Sequence, residues 1–468
     1  MSSTTSEPLA PVARLTGRPL AVLLVLCGAL FLEGIDVAML NIALPAIRAD
    51  LGLTTGELQW VMSAYILGYG GFMLLGGRAA DLFGRRRVFL VPLVVFLAFS
   101  GLGAIATEGW MLIAARVVTG VAAAFMTPAG LSIITTMFAE GAARNRAVLI
   151  YSGVGAAGFS IGLVAGGLLT VLGWRWVFIA PVILSALLLA LAIPLIPKVG
   201  ADPAARGRLD VLGAVTITAA LVVLVLTIEQ APHTPALLTA AGLVSSAALI
   251  AAFVAIERRA SHPLVRLGVL RSAPLVRANL GGALLAAAFM GFQFIVVLYL
   301  QEFRGWTALE TSLAMLVVAI DGILAPTLTP RLVARFGTRR VAAAGFVSAI
   351  ASYALFLPVA SDWTYAAMFP SFLLLGIAYT LAYGPLTIAA TDGVVESEQG
   401  LASGLLYTAS QFGGALGLSI ATAVYIAAAD AVADPLETYR LALIVPLATA
   451  VLALVITVVG RPRRVRRA

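Results

Sequence analysis

The chain has very little of what soluble proteins and metalloenzymes depend on. Only 11% of its 468 residues are charged, and it contains one cysteine and two histidines. A soluble globular protein keeps about a quarter of its residues charged, so this chain cannot cover a water-facing surface. The lone Cys27 excludes an intramolecular disulfide and a cysteine metal cluster. His233 and His262 lie far apart in predicted loops, which excludes a zinc site, and we expect neither metal nor cofactor.

Lysine is the scarcest charged residue, and its scarcity bears on whether the chain could bind and hydrolyse a nucleotide. A P-loop requires the pattern G-x-x-x-x-G-K-[ST] to hold nucleotide phosphates. Lys198 is the only lysine, and its surroundings, IPKVG, do not match that pattern. The chain therefore has no P-loop of its own.

Long apolar runs fill most of the chain instead. It is 61% hydrophobic with a mean hydropathy of +1.04, and its continuous runs are long enough to cross a hydrocarbon core of ~30 Å as helices. Continuous rather than alternating apolar residues exclude a β-barrel. We predict an all-α polytopic membrane protein with fourteen spans, at 19–43, 58–77, 88–106, 110–137, 147–170, 176–197, 211–228, 236–256, 278–301, 308–329, 341–359, 363–390, 400–428 and 440–460.

The distribution of basic residues supports this count. If both termini are cytoplasmic, the loops on the other side hold only Arg48, Arg175, Arg304 and Arg440, and Arg116 lies within a span. All other Lys and Arg residues fall on the cytoplasmic side, as the positive-inside rule expects. The basic tail RPRRVRRA is then a topology signal that attracts anionic lipid, and we expect no nucleic-acid partner.

A stretch in the fifth span resembles a dinucleotide-binding motif. YSGVGAAGFSIGLVAGG contains G-x-G-x-x-G, but such a motif must follow a strand and open a helix, whereas here it lies inside one apolar run. Gly155, Gly158, Gly162 and Gly166 are spaced three or four residues apart, so they share one helix face. Small residues at this spacing favour close helix packing in a membrane, and we expect no nucleotide to bind.

An internal repeat divides the chain. GRAADLFGRRRV (77–88), between spans two and three, recurs as PRLVARFGTRRV (330–341), between spans ten and eleven. An offset of eight spans predicts two similarly oriented six-helix bundles, at 19–197 and 276–460, with an inserted two-helix hairpin at 207–257. Parallel repeats of this kind are typical of transporters that rock around a site at the membrane midplane.

These residues resemble the fourteen-span drug:proton antiporters of the major facilitator superfamily over nearly the whole chain. GIDVAMLNIALP resembles the first-helix motif, and RVVTG resembles the fourth-helix motif. GGRAADLFGRRR resembles the signature loop, and the glycines of the fifth span resemble the antiporter motif. The matching positions are Asp36, Asn41, Pro45, Gly77, Asp81, Gly84, Arg85, Arg86, Arg116, Gly120, Gly158, Gly162, Gly166 and Gly167.

The resemblance implies a major facilitator fold in the cell membrane, acting as a monomer and exporting small molecules in exchange for protons. It implies that Asp36 and Arg116 belong to the coupling machinery, and that Asp81, Arg85 and Arg86 form a charge-linked latch between the halves. Asp36 lies roughly 13 Å below the outer end of its span, taken at Pro45, and Arg116 lies roughly 9 Å below Trp110, where its span enters from the same side. These similar depths allow contact between the first and fourth spans.

Two further carboxylates rest on physical reasoning alone. Glu33 and Asp321 fall near the midplane, one in each half, and Glu33 shares a helix face with Asp36. Ionisable groups inside a span are costly, so they face a cavity or a partner. One interpretation is a polar pair that only holds helices together; the other is a protonation and substrate-cation site, since desolvation favours the neutral carboxyl.

Two other function classes stay open at this point. An uptake symporter or uniporter of the same fold would differ only in the direction of transport, and the antiporter-like glycine helix argues against it. A membrane enzyme or receptor is the second alternative, but no nucleophile–base pair or metal cluster in the sequence supports it. The identity of the small-molecule substrate cannot be read from the sequence.

Overall fold

A computed structural model describes residues 17–138, 142–197, 210–260, 263–265, 268, 272–392 and 399–458. These residues form helices, turns and short connections, and no strand is found among them. The linker KVGADPAARGR, His262 and the basic tail lie outside the described residues. Within the described part, thirteen helical segments are long and apolar enough to cross a membrane, which confirms an all-α polytopic membrane protein.

The helices are α1 Gly17–Leu51, α2 Thr55–Phe83, α3 Arg85–Ala104, α4 Gly109–Met137, α5 Ala142–Leu172, α6 Trp176–Leu195, α7 Val211–Gln230, α8 Ala236–Arg259, α9 Ala273–Leu298, α10 Ala308–Met315, α11 Asp321–Phe336, α12 Thr338–Phe356, α13 Tyr365–Thr391, α14 Gln399–Ala431 and α15 Pro435–Val458. We call α1–α6 the first half, α7–α8 the inserted hairpin and α9–α15 the second half. The end at which α1 begins is the arginine-rich end.

Three predicted spans differ from the helices that form. The first span continues past Pro45 to Leu51; Pro45 removes a backbone hydrogen bond but does not end the helix. The tenth span is two helices, α10 and α11, joined by a 3₁₀ turn at Leu316–Ile320. The eleventh span forms α12, which is less apolar than the other thirteen because Arg339 and Arg340 lie in its first turn.

The two halves pack their helices in the same order. In the first half, α1 packs on α5 and α6, α2 on α4, and α3 on α4 and α6. In the second half, α9 packs on α14 and α15, the α10–α11 segment on α13, and α12 on α13 and α15. Each contact of the first half therefore has its counterpart eight spans later, as parallel repeats require.

The repeated loop forms the same kind of glycine turn in both halves. Gly84 joins α2 to α3 with φ 90°, and Gly337 joins α11 to α12 with φ 82°. Only glycine adopts this left-handed backbone without strain. The Arg86 guanidinium donates to the Ile193 carbonyl of α6 at 2.5 Å, and the matching Arg339 donates to the Thr457 carbonyl of α15 at 3.1 Å. Both arginines thus satisfy carbonyls that a helix end leaves without partners.

Candidate functional site

A buried ion pair joins α1 to α4. The Arg116 guanidinium donates to Asp36 Oδ2 at 2.5 Å, and both side chains are at most 3% exposed. The guanidinium also lies over the Tyr65 ring of α2, 4.2 Å from its centroid. The structure thus brings together the aspartate and the arginine of the first- and fourth-helix motifs, whose similar predicted depths allowed such a contact. Each of these desolvated charges is stabilised by the opposite charge of its partner, and removal of either leaves a buried charge uncompensated.

Glu33 lies one helical turn from Asp36, and no salt bridge to it is found in the described part of the chain. Its Oε2 accepts hydrogen bonds from the Tyr69 hydroxyl at 2.8 Å and the Thr127 hydroxyl at 2.6 Å. The side chain is 4% exposed, and its Oε1 has no hydrogen-bond partner. A buried carboxyl group with one oxygen unsatisfied is costly to keep charged, so this site accommodates a proton or a cation more readily than a bare charge.

Sequence reasoning missed the hydroxyl partners of Glu33 and the aromatic residue beyond them. The Tyr69 ring packs edge-on against Tyr407 of α14, with centroids 5.4 Å apart. Tyr407 belongs to the second half, so Glu33 is linked through Tyr69 to the seam between the halves. The available signal was the hydroxyl groups of Tyr69 and Thr127 within otherwise apolar spans.

Asp321 lies apart from this cluster, in the second half. It is the first residue of α11, directly after the 3₁₀ turn that interrupts the tenth span. Its side chain is partly exposed, and no salt bridge to it is found among the described residues. A carboxylate in the first turn of a helix is stabilised by the helix dipole, which gives Asp321 a different environment from that of Glu33.

The glycines of α5 lie against the backbone of α1. A Cβ built on Gly158 would lie 2.8 Å from the Phe31 carbonyl oxygen, and one on Gly166 would lie 2.7 Å from Met39 Cα. Gly162 approaches Ile35 in the same way, whereas Gly167 faces Ser312 and Leu309 of α10, in the second half. The row therefore forms the close helix contact that its spacing predicts, within a continuous helix.

This contact yields a stability prediction. We expect Gly166→Ala to destabilise the protein by about 1–3 kcal/mol, because the added methyl group overlaps the α1 backbone. Gly153→Ala, on the same helix, is the control, since its Cβ would meet nothing within 4 Å and alanine favours helix by up to ~1 kcal/mol. Thermal unfolding of both purified variants measures the difference; equal midpoints would contradict the tight α1–α5 contact.

The signature-loop residues lie at the arginine-rich end, around the α2–α3 turn. Gly77 lies on α2 near Pro128, and Gly84 forms the turn. Arg85 donates to the Thr136 hydroxyl of α4, and Arg86 caps α6. These contacts lie within the first half. The Asp81 side chain lies outside the described residues.

Hydrogen bonds between the halves, in the part of the chain that the structure describes, concentrate toward the end opposite the arginine-rich end. The pairs are Asn41 with Gln293 at 2.9 Å, Gln301 with the Ile42 carbonyl at 2.9 Å, Arg48 with Glu302 at 2.9 Å, and Gln59 with Ser419 at 2.8 Å. Together with a shared apolar core contributed by α1, α9 and α10, they hold the halves together at that end.

The four arginines at this opposite end are all engaged. Arg175 donates to Asp50 at 2.9 Å, Arg304 to the Trp363 carbonyl at 2.7 Å, and Arg440 to the Val359 carbonyl at 3.0 Å; Arg48 joins the halves through Glu302. The exceptions to the charge bias therefore have structural roles.

Comparison with known proteins identifies the family to which this architecture belongs. The sequence model of the Major Facilitator Superfamily matches residues 26–418. A lincomycin resistance protein of Streptomyces lincolnensis is 34% identical over 395 residues, which cover 83% of this chain and 81% of the relative. The cephamycin export protein CmcT of Amycolatopsis lactamdurans is 34% identical over 418 residues, covering 86% of this chain and 85% of the relative.

Solved structures agree on the fold. An auto-inhibited peptide transporter of the POT family superposes with a TM-score of 0.69 at 17% identity, covering 96% of this chain and 98% of that one. The motifs, the packing order repeated in the two halves and the match across residues 26–418 all point the same way. The chain therefore belongs to the Major Facilitator Superfamily, as its motifs predicted.

Proposed function

We propose that the chain exports drugs, antibiotics or other amphipathic small molecules across the cell membrane in exchange for protons. It works as a monomer by alternating access, with both termini in the cytoplasm and without enzymatic activity. The bundles 19–197 and 276–460 rock around a central path, and the hairpin 207–257 stays outside it. Residues 139–141, 207–209, 393–398 and 459–460 of these ranges lie outside the described residues.

The observation that carries this proposal is the Asp36–Arg116 ion pair. It lies inside a membrane-spanning bundle with both side chains at most 3% exposed, where an ionisable pair is costly and usually functional. Protonation of Asp36 removes one charge and leaves Arg116 unpaired, so proton binding changes the energetics of the whole α1–α4 contact. The direction of transport is supported by the relatives, whose names describe resistance and export.

The test is transport in everted membrane vesicles from a pump-deficient strain. A panel of antibiotics and dyes first identifies a compound to which the chain confers resistance. We expect that compound to accumulate in energised everted vesicles and to release protons from them when added. Transport in the opposite direction, or transport that does not depend on the proton gradient, would instead support the uptake alternative.

The latch residues carry a separate prediction. We expect Asp81→Asn to leave membrane insertion intact but to reduce transport at least several-fold, because the sequence GGRAADLFGRRR sets one carboxylate among arginines at a helix end, where charge and helix dipole interact. Asp362→Asn, on an exposed turn at the opposite end, is the matched control. Vesicle efflux at equal expression measures the effect, and unchanged efflux in Asp81→Asn would count against the latch.

A further inference from the structure

The inserted hairpin lies across the seam between the two halves. α7 packs against α2 of the first half and against α14 of the second half, and α8 packs on α7. When one half rocks against the other, the distance between α2 and α14 changes. α7 must then stay with one neighbour and slide along the other.

On the α2 side, α7 is interlocked with the backbone. The Glu229 carboxylate lies directly over Gly56, and the Thr218 side chain lies directly over Gly71, so that a Cβ at either glycine would overlap it. Glu229 is 5% exposed and faces the first turn of α2, where the helix dipole favours a carboxylate. These two contacts, fifteen residues apart on α2, fix both the register and the angle of α7.

The chain that follows the hairpin is held on the same side. Glu257, near the end of α8, accepts a hydrogen bond from the Val265 N–H at 3.1 Å. Leu264 and Val265 are buried in one cluster with Leu75 of α2 and Ala214 of α7, and the same cluster receives one partly buried side chain of α14, Leu405. The attachment to α2 thus continues to the arginine-rich end of the bundle.

On the α14 side the described contacts are apolar only, whereas α2 adds the two glycine contacts to the same apolar cluster, which includes its Ile66 and Leu67. α7 meets Phe412, Ala415 and Leu416 through apolar side chains, and no hydrogen bond or ion pair joins the hairpin to α14 in the described residues. None of the close glycine contacts of α14 involves α7. Apolar contact is non-directional, so such a surface tolerates sliding at little cost in free energy.

We propose that the inserted hairpin is mechanically part of the first half: α7 stays locked to α2 throughout the transport cycle, while α14 slides along it. The inference rests on the alternating access included in the proposed function. It assigns the hairpin a task, which is to cover the α2–α14 flank of the seam in every conformation.

Distances between spin labels test this directly and need no substrate. In the full chain with Cys27→Ser, cysteines replace pairs of three exposed residues at the opposite end: Thr107 of the first half, Gln230 of α7 and Asp430 of α14. The conformations are shifted by acidic and alkaline pH, and by Glu302→Gln, which removes the ion pair between the halves. Pulsed electron–electron double resonance on the spin-labelled protein in nanodiscs gives the three distances.

We expect the Thr107–Asp430 and Gln230–Asp430 distances to shift together, while the Thr107–Gln230 distance stays constant. A shift of the Thr107–Gln230 distance, or a constant Gln230–Asp430 distance while Thr107–Asp430 changes, would overturn the inference. So would a Thr107–Asp430 distance that is constant in every condition, since nothing would then slide. A chain that shows the expected shifts but exports nothing would instead refute the proposed function.

A substitution in the lock provides a second test. Gly56→Val displaces the Glu229 carboxylate, and we expect it to broaden the Thr107–Gln230 distance distribution. Gly101→Val is the control, because a Cβ at Gly101 meets nothing within 4 Å. An unchanged distribution in Gly56→Val would show that the hairpin is not held at this point.

Discussion

Asp36→Asn is expected to abolish proton-coupled transport of every substrate. Asparagine matches aspartate in size, but its side-chain amide does not bind and release a proton near neutral pH. The exchange of a proton for substrate at this position is therefore lost. The substitution also leaves Arg116 buried without a counter-ion, which costs about 3–5 kcal/mol in buried pairs. We therefore expect lower thermal stability together with a loss of substrate-induced proton release from vesicles.

A double variant separates these two effects. Asp36→Asn combined with Arg116→Gln removes both charges, so it should recover much of the stability but none of the proton release. Asp430→Asn, on the exposed end of α14, is the control for the loss of a carboxylate. Normal proton exchange in either Asp36 variant, at normal expression, would refute the assignment of coupling to this pair.

Glu33→Gln is expected to impair the transport of cationic substrates selectively. Glutamine keeps an oxygen that accepts from Tyr69 and Thr127, so the hydrogen bonds between α1, α2 and α4 survive. What disappears is the negative charge that a cation would neutralise. We expect roughly a tenfold loss of apparent affinity for a cation, which corresponds to about 1.4 kcal/mol, and little change for a neutral substrate.

Asp321→Asn is the partner experiment in the second half. Asp321 is partly exposed at the start of α11, whereas Glu33 is enclosed, so a substrate reaches Asp321 with less rearrangement. Efflux of one cationic and one neutral compound is measured for each variant. Equal losses for both compounds would indicate that these carboxylates support the structure rather than select the charge of the substrate.

Contact between Asp36 of α1 and Arg116 of α4 was one of the arrangements that the sequence allowed. A rise of about 1.5 Å per residue places Asp36 and Arg116 at similar depths, and the family motifs lie on these two helices. The glycine row on α5 was accessible for a similar reason, because spacing alone defines a helix face. The glycine inference needed only the residue spacing along a helix, whereas the choice of Asp36 and Arg116 also needed the family motifs.

The neighbours of the Glu33 side chain could not be predicted from the sequence in this way. Tyr69 and Thr127 lie on two other helices, and their rotation about the helix axes is set by packing rather than by any local pattern. The interruption between α10 and α11 was also hidden, because residues 308–329 read as one apolar run. A 3₁₀ turn differs from an α-helix in its hydrogen-bond register, residues per turn and rise, none of which a continuous apolar run specifies.

The arginines that cap α6 and α15 bear on how each half transmits force. Arg86 ties the start of α3 to the end of α6, Arg18 ties the start of α1 to the Leu195 carbonyl at the same helix end, and Arg339 ties α12 to α15. A displacement of the α2–α3 turn is therefore transmitted to the start of α3, the end of α6 and the start of α1. In the first half these ties join the ends of α1, α3 and α6, so a local displacement at this end tilts the three helices together.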